Sequence, residues 1–334
     1  MTNAVPECGP ASPEEFRDIL LACRPLVLRG QVKDWPVVQA GCKGAEAFRD
    51  YLFTFDRGLQ MEAFFGLPGI AGKYFYSESF SGFNFERRQM RFAAALDAIV
   101  ENLQIDGAPS VYAGSVPVDE YLPGFTHENA MPLVEGVGPR IWVGHASNVS
   151  CHYDAMENIA CVVAGRRRFT LYPPELIGKL YVGPIDRTMA GQPVSLAASS
   201  APDAALYPQF EPLRDSAMIA ELEPGDALFL PKLWWHQVEG TAPFNGLINY
   251  WWDAFRAGPD APYTAMLLAM ITMSERPAPE RAAWKAWFEH YVFRQEGHPL
   301  RHLPPQEHGL LGPLKPDNYG KLRAYIMHLL RGGA

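Results

Sequence analysis

Apolar residues recur along this chain with three rhythms. Up to about residue 114, helical and extended patterns take turns. Ser12-Pro13-Glu14-Glu15 reads as a helix start, with Ser12 as cap, Pro13 in the first turn and Glu15 closing a capping box, and predicts a helix to about Cys23. Residues 25–30 (PLVLRG) predict a strand, Asp34-Trp35-Pro36 a turn, and 45–53 a second helix with Phe48, Leu52 and Phe53 as its apolar side. Strands are expected over 58–65, 73–76 and 110–114, and an Ala-rich helix over 92–103.

From 140 to 253 the rhythm becomes that of short strands separated by turns: 140–143, 149–154, 158–163, 167–172, 217–221, 227–230, 236–238 and 247–252. Eight such strands suit a jelly roll. The interval 183–216 is too long for an ordinary connection and is rich in Ala, Ser and Pro over 195–205, so it reads as an insert covering substrate. After Ala261 the spacing turns helical, over 263–273 (YTAMLLAMITM), 279–293 and 319–331. Met266, Met270 and Met273 form a stripe that belongs to a core or a subunit contact. Leu267, Leu268, Ile271, Trp284, Trp287, Phe288, Leu329 and Leu330 offer more apolar surface than three short helices bury among themselves, which predicts a homodimer built through this segment. The expected division is 1–260, with the barrel core at 140–253, followed by a helical segment over 261–334.

Hydrophobic residues at 48% indicate a globular protein, and no apolar run reaches the length that spans a bilayer, so no membrane partner is expected. The N-terminus lacks a positive n-region and an apolar h-region, which predicts no secretory signal. Cys8, Cys23, Cys42, Cys151 and Cys161 form no C-x-x-C pair and point to a reducing, cytoplasmic location. A net charge of −8 argues against a general nucleic-acid binder, and Arg87-Arg88 and Arg166-Arg167-Arg168 are too short to count as nucleic-acid signatures.

The candidate chemistry lies in NVSCHYDAMEN and PGDALFLPKLWWHQV. On a strand, His152 and Asp154 project to one side and Tyr153 to the other. His236, delivered by an opposing strand after the Pro224-Gly225-Asp226 turn, completes a two-histidine, one-carboxylate set that leaves open positions on Fe(II) for a co-substrate and dioxygen. The alternative is two buried, hydrogen-bonded histidines with Asp154 as a turn residue. Cys151 adjoins the motif but points away from it, as a packing residue.

The ordered segments PLVLRG with a following Trp-Pro pair, SVYAG, NVSCHYDAMENIACVVAGRRRFTLYPP, and PGDALFLPKLWWHQVEG leading to LINYWW resemble the cupin-8 branch of the JmjC oxygenases. Within it, the chain is similar to the asparaginyl hydroxylase that inhibits hypoxia-inducible factor, and it also resembles the tRNA wybutosine hydroxylase. The resemblance implies a mainly β fold: a double-stranded β-helix, or jelly-roll cupin barrel, with flanking N-terminal α/β elements and a C-terminal helical segment. It implies Fe(II) held by His152, Asp154 and His236, with 2-oxoglutarate as co-substrate and dioxygen as oxidant. By position it puts Tyr112 and Ser150 at the distal carboxylate of 2-oxoglutarate, Asn158 and Asn249 at its metal-side end, and Trp251 on the same wall. The implied reaction hydroxylates a C–H bond, on a protein or peptide side chain, or on a modified tRNA base or small metabolite. A cupin that binds metal without turnover is the reading from a different class.

One position departs from the family. Arg167 stands where a lysine is usual. Strand alternation puts Arg167, Phe169 and Leu171 on one face, inside the barrel, where a guanidinium needs an anion and a carboxylate would suit its fork. A register shifted by one would instead send Arg166 and Arg168 inward.

Overall fold

Two long antiparallel strands, Pro139–His152 and Trp235–Trp252, organise the fold. The computed structural model describes residues 3–75, 82–185, 192–198, 204–256, 258–313 and 315–332. In chain order the strands are β1 (Asn3–Ala4), β2 (Glu7–Cys8), β3 (Leu26–Leu28), β4 (Gln60–Gly66), β5 (Lys73–Tyr74), β6 (Glu86–Arg91), β7 (Ser110–Pro117), β8 (Pro139–His152), β9 (Glu157–Ala164), β10 (Arg167–Tyr172), β11 (Met218–Leu222), β12 (Ala227–Leu230) and β13 (Trp235–Trp252). These thirteen belong to one hydrogen-bonded sheet, whose main path runs β2-β3-β12-β9-β13-β8-β7-β4-β6, while β13 also pairs with β10. This is the expected mainly β architecture.

Several boundaries differ from the sequence reading. The segments expected at 140–143 and 149–154 are one strand, as are those at 236–238 and 247–252. Small and polar residues in the middle break the apolar pattern, yet their backbones still pair, Ser147 opposite Gly240 and His145 opposite Phe244, with Thr241–Pro243 bulging out between. Trp35-Pro36 opens a helix instead of a turn, because proline at the first helical position gives up no hydrogen bond. Strand β6 was missed: its side chains are mostly exposed, so it lacks the alternation that marks a half-buried strand.

Helices α1 (Pro13–Ala22), α2 (Pro36–Lys43), α3 (Ala45–Phe53) and α4 (Phe92–Asn102) precede the barrel, with short α5 (Val118–Tyr121) and α6 (Phe125–Glu128) before β8. The capping box of α1 forms as expected, Ser12 Oγ accepting from Glu15 N–H and Glu15 from Ser12 N–H. Strands β9 and β12 are buried on both faces, which explains their unbroken apolar runs. Ile159, Cys161, Val163, Ala227 and Phe229 face a core shared with Phe48, Leu52, Phe92 and Leu96. Ala160, Val162, Leu228 and Leu230 face the barrel interior with Phe169, Leu171 and Leu247. Each fully buried large side chain contributes about 1.5–3 kcal/mol. Cys151 packs in a third cluster with Tyr153, Tyr172 and Trp235, pointing away from the metal motif.

Within the 183–216 interval, residues 186–191 and 199–203 lie outside the described residues, as do Tyr76 of the expected 73–76 strand and part of the Ala/Ser/Pro-rich stretch. The described part docks on the barrel: Val194 bridges to His152 and Ser195 N–H donates to Cys151 O at 2.7 Å.

The chain divides into two compact units, Met1–Ala254 and Phe255–Ala334. In the second, α7 (Pro262–Met273), α8 (Ala278–Phe288) and α9 (Pro316–Leu330) follow in order. Asp260 accepts hydrogen bonds from Tyr319 and from Arg323 Nε (3.0 Å), joining the start of this unit to α9. Met266, Met270, Met273, Trp284 and Phe288 line a groove of about 400 Å³. The unit's own helices leave Ile271, Trp287, Leu329 and Leu330 exposed. Among the described residues, no helix is long and apolar enough to cross a membrane.

Candidate metal centre

Strand pairing brings the two histidines together. His152 ends β8 directly opposite His236 near the start of β13, and their rings lie 4.3 Å apart. The chain enters β12, and after it His236, through the Pro224-Gly225-Asp226 turn, where Gly225 takes φ +100°, a conformation that disfavours any side chain. Asp154 lies just past the end of β8 instead of within it, so strand alternation alone does not aim it. Its carbonyl accepts from Leu233 N–H at 2.8 Å, which holds the post-strand turn against the approach to β13. The carboxylate then sits 3.7 Å from His236 Nε2, and ligand atoms of all three residues lie within 4.8 Å of one another.

Second contacts set the state of each ligand. His152 Nδ1 lies 2.7 Å from Ser150 O and His236 Nδ1 2.9 Å from Trp234 O, so each Nδ1–H donates to a carbonyl and leaves the Nε2 lone pair free. Burial, with His152 alongside, pushes the His236 pKa down to about 4, so the ring is neutral near pH 7. Asp154 Oδ2 is buried with no hydrogen-bond partner. The two imidazoles, that of His236 neutral, and an orphaned carboxylate oxygen make a donor set that fits a divalent first-row cation.

Below the triad lies a cavity of about 60 Å³ reached by Tyr112, Asn158, Arg167, Asn249 and Trp251. Arg167 is 1% exposed and points inward, whereas Arg166 and Arg168 turn outward to Glu223 and Glu221, each at 3.4 Å. The unshifted register is the one adopted. Arg167 Nε and Nη2 have no hydrogen-bond partner, so a buried cation faces the cavity with donors to spare. Asn249 joins the wall through a relay: Trp142 Nε1–H donates to its Oδ1 at 2.7 Å and its own amide donates to Asn158 Oδ1 at 3.1 Å. Ser150 falls elsewhere. Its hydroxyl donates to Tyr74 O at 3.2 Å and it lines a second, outer cleft instead of the inner cavity.

The outer cleft, about 210 Å³, opens above His152 and Asp154 between Phe64, Tyr74, Phe85 and Trp142. Gln192 and Val194 of the 183–216 insert complete its wall. Tyr112 and Trp251 line both spaces. Gly144 makes room for Tyr112, since a Cβ there would stand 2.5 Å from the Tyr112 ring and 2.8 Å from Val111 O. Sequence reasoning missed Trp142, although its place on the barrel face of β8 was a usable signal. Of the four tryptophans flanking the motifs, Trp251 alone lines these two spaces; Trp235, Trp234 and Trp252 pack into core.

Residues 12–258 match the cupin-like domain family. The chain belongs to this family. The cupin-like domain has JmjC-containing relatives and sits with the JmjC-type cupin oxygenases. It is 32% identical over 114 residues to the lysine-specific demethylase JMJ31 of Arabidopsis thaliana, covering 34% of this chain and 20% of that protein. It is 31% identical over 158 residues to human HSPB1-associated protein 1, covering 45% and 31%. With tRNA wybutosine-synthesizing protein 5 of Danio rerio the identity is 37% over 101 residues, covering 30% and 28%. The match thus spans between a fifth and a third of these relatives' lengths.

Proposed function

We propose that this protein is an Fe(II)- and 2-oxoglutarate-dependent dioxygenase that hydroxylates a C–H bond on a protein or peptide side chain. The observation that carries the reading is the partnerless Arg167 guanidinium, buried at one end of a cavity whose other end is the His152, Asp154 and His236 cluster. A dicarboxylic oxo-acid matches that arrangement, one carboxylate for the arginine fork and a chelating end for a metal. Iron, when bound, supplies the centre at which dioxygen is reduced as 2-oxoglutarate is oxidised to succinate and carbon dioxide.

The chain's own residues do the rest. Arg167 binds the distal carboxylate, with Tyr112 alongside. Asn249, fixed by Trp142, and Asn158 orient the metal-side end, and the Trp251 and Trp142 rings keep water out. Ser150 orients His152 through its backbone carbonyl and serves the wall of the outer cleft. The outer cleft takes substrate: its aromatic walls receive one side chain of a larger molecule. Net charge of −8 favours a peptide over tRNA, and a modified tRNA base or small metabolite is the second reading, supported by the wybutosine-synthesizing relative. We place the protein in the cytoplasm as a homodimer joined through the exposed apolar helices of the second unit. Incubation of the iron-loaded protein with labelled 2-oxoglutarate, scored for labelled carbon dioxide and succinate, tests the activity. Absence of turnover in iron-loaded, folded protein would leave a metal-binding cupin and refute the dioxygenase.

A further inference from the structure

Near the candidate metal centre lies a cation that is not one of its ligands. Lys232 lies in the turn between β12 and β13, with Nζ 2.7 Å from Asp253 Oδ1 and 3.3 Å from Glu157 Oε1. Glu157, the first residue of β9, is 1% exposed, and its second oxygen accepts from Ala254 N–H at 3.0 Å. A carboxylate buried so deeply costs several kcal/mol unless it is paired and hydrogen-bonded, and here Lys232 and Ala254 supply both. Burial alone would lower the lysine pKa, but the contacts with Asp253 and Glu157 outweigh it and hold the ammonium charged.

The three joined elements each carry part of the site. Asp154 precedes Glu157 by one turn of chain, His236 follows Lys232 across the Leu233–Trp235 corner, and Trp251 lies just before Asp253. Leu233, next to Lys232, is held at φ +68°, a left-handed conformation costing about 1–3 kcal/mol for a residue with a side chain. In that conformation its N–H reaches Asp154 O. Strain of this kind persists only where the surroundings over-determine it, and the Lys232 ion pairs are the adjacent constraint.

We infer that Lys232 is a positioning residue of the metal centre: by clasping Glu157 and Asp253 it fixes Asp154 against His236, and so sets the affinity and coordination geometry for the divalent cation. This rests on the proposed reading of His152, Asp154 and His236 as ligands. No local pattern marks Lys232, because its partners Glu157 and Asp253 come from distant segments.

Titration of the full chain with Co(II), followed by calorimetry and by the cobalt d–d absorption band, tests the inference without requiring turnover. Lys232→Met should weaken Co(II) binding about tenfold or more and shift the band, as loss of an outer-shell partner does. Lys232→Arg, which keeps the charge, should stay within about threefold of wild type. Asn129→Ala serves as a control for general destabilisation: its buried amide joins Val37, Phe125 and Tyr51 away from the site. It should melt lower while binding Co(II) as wild type does. Wild-type affinity and band in Lys232→Met would overturn the inference. If that variant does not fold, Asp253→Ala carries the test, because it removes the shorter contact at a partly exposed carboxylate; a weakening of about threefold or more is expected, and unchanged binding overturns the inference. Failure of the wild-type protein to bind Co(II) would overturn the ligand assignment, and this inference with it.

Discussion

Replacing Arg167 with methionine should raise the melting point of the ligand-free protein and remove most of the stabilisation that 2-oxoglutarate adds. In the unliganded protein the guanidinium is 1% exposed and its Nε and Nη2 lack partners, so its charge is carried at a cost of several kcal/mol. Methionine fills a similar space without that cost, and the ligand-free variant should melt above wild type. The ligand acts the other way, because only wild type offers it the guanidinium. A charge-assisted, two-pronged contact is worth about 1.5–3 kcal/mol, or roughly 10- to 150-fold in affinity. Wild-type protein loaded with Mn(II), which supports no turnover, gains about 2.7 kcal/mol from 2-oxoglutarate at a hundred times its Kd. For a chain of this size that is a rise on the order of 5 °C in Tm. If the variant binds about a hundredfold more weakly, the same ligand concentration only matches its Kd and the gain falls to about 0.4 kcal/mol, a rise of roughly 1 °C. Differential scanning fluorimetry of both proteins, with and without 2-oxoglutarate, reads all four states. A full ligand-induced shift in the variant would refute the carboxylate role of Arg167, and a lower ligand-free Tm would refute the unpaired-charge argument.

Three further outcomes follow from the same geometry. Asp154→Ala removes a buried, unpartnered oxygen, so the metal-free variant should melt as high as wild type while losing metal binding and 2-oxoglutarate decarboxylation; retained turnover with bound iron would sink the ligand assignment. Gly144→Ala forces a Cβ to within 2.5 Å of the Tyr112 ring and should cost about 1–3 kcal/mol, visible as a lower denaturant midpoint, with an unchanged midpoint showing that Tyr112 moves freely. Leu329→Glu with Leu330→Glu should convert a dimer to a monomer by light scattering at micromolar concentration, and an intact wild-type protein that is already monomeric would rule the dimer out.

The sequence made the inner half of the site legible because strand pairing fixes it. His152 and His236 follow from an apolar run, a turn and a second run whose register is locked by two buried faces, and Arg167 follows from alternation on β10. Asp154 does not follow from alternation alone: β8 ends at His152, and a backbone hydrogen bond from Leu233 holds the carboxylate's segment. Ser150 shows the limit of carrying positions across by motif. Its hydroxyl is taken by the Tyr74 carbonyl, and it lines the outer cleft.

The outer cleft was illegible for a different reason. Phe64 comes from β4, Tyr74 from β5, Phe85 from the approach to β6, Trp142 from β8 and Gln192 from the insert. None of these elements shares a local pattern with another, and their convergence depends on the order β8-β7-β4-β6, which pattern alone does not determine. Alternation says which way a side chain faces within its strand, not what it meets across three strands. Chemistry common to the family is therefore written in short, register-locked motifs, whereas the surface that selects a substrate is assembled from distant segments. The insert makes that division testable: exchanging Gln192 or Val194 should alter which peptide is hydroxylated while leaving uncoupled 2-oxoglutarate turnover in place, because neither side chain reaches the cavity that holds Arg167.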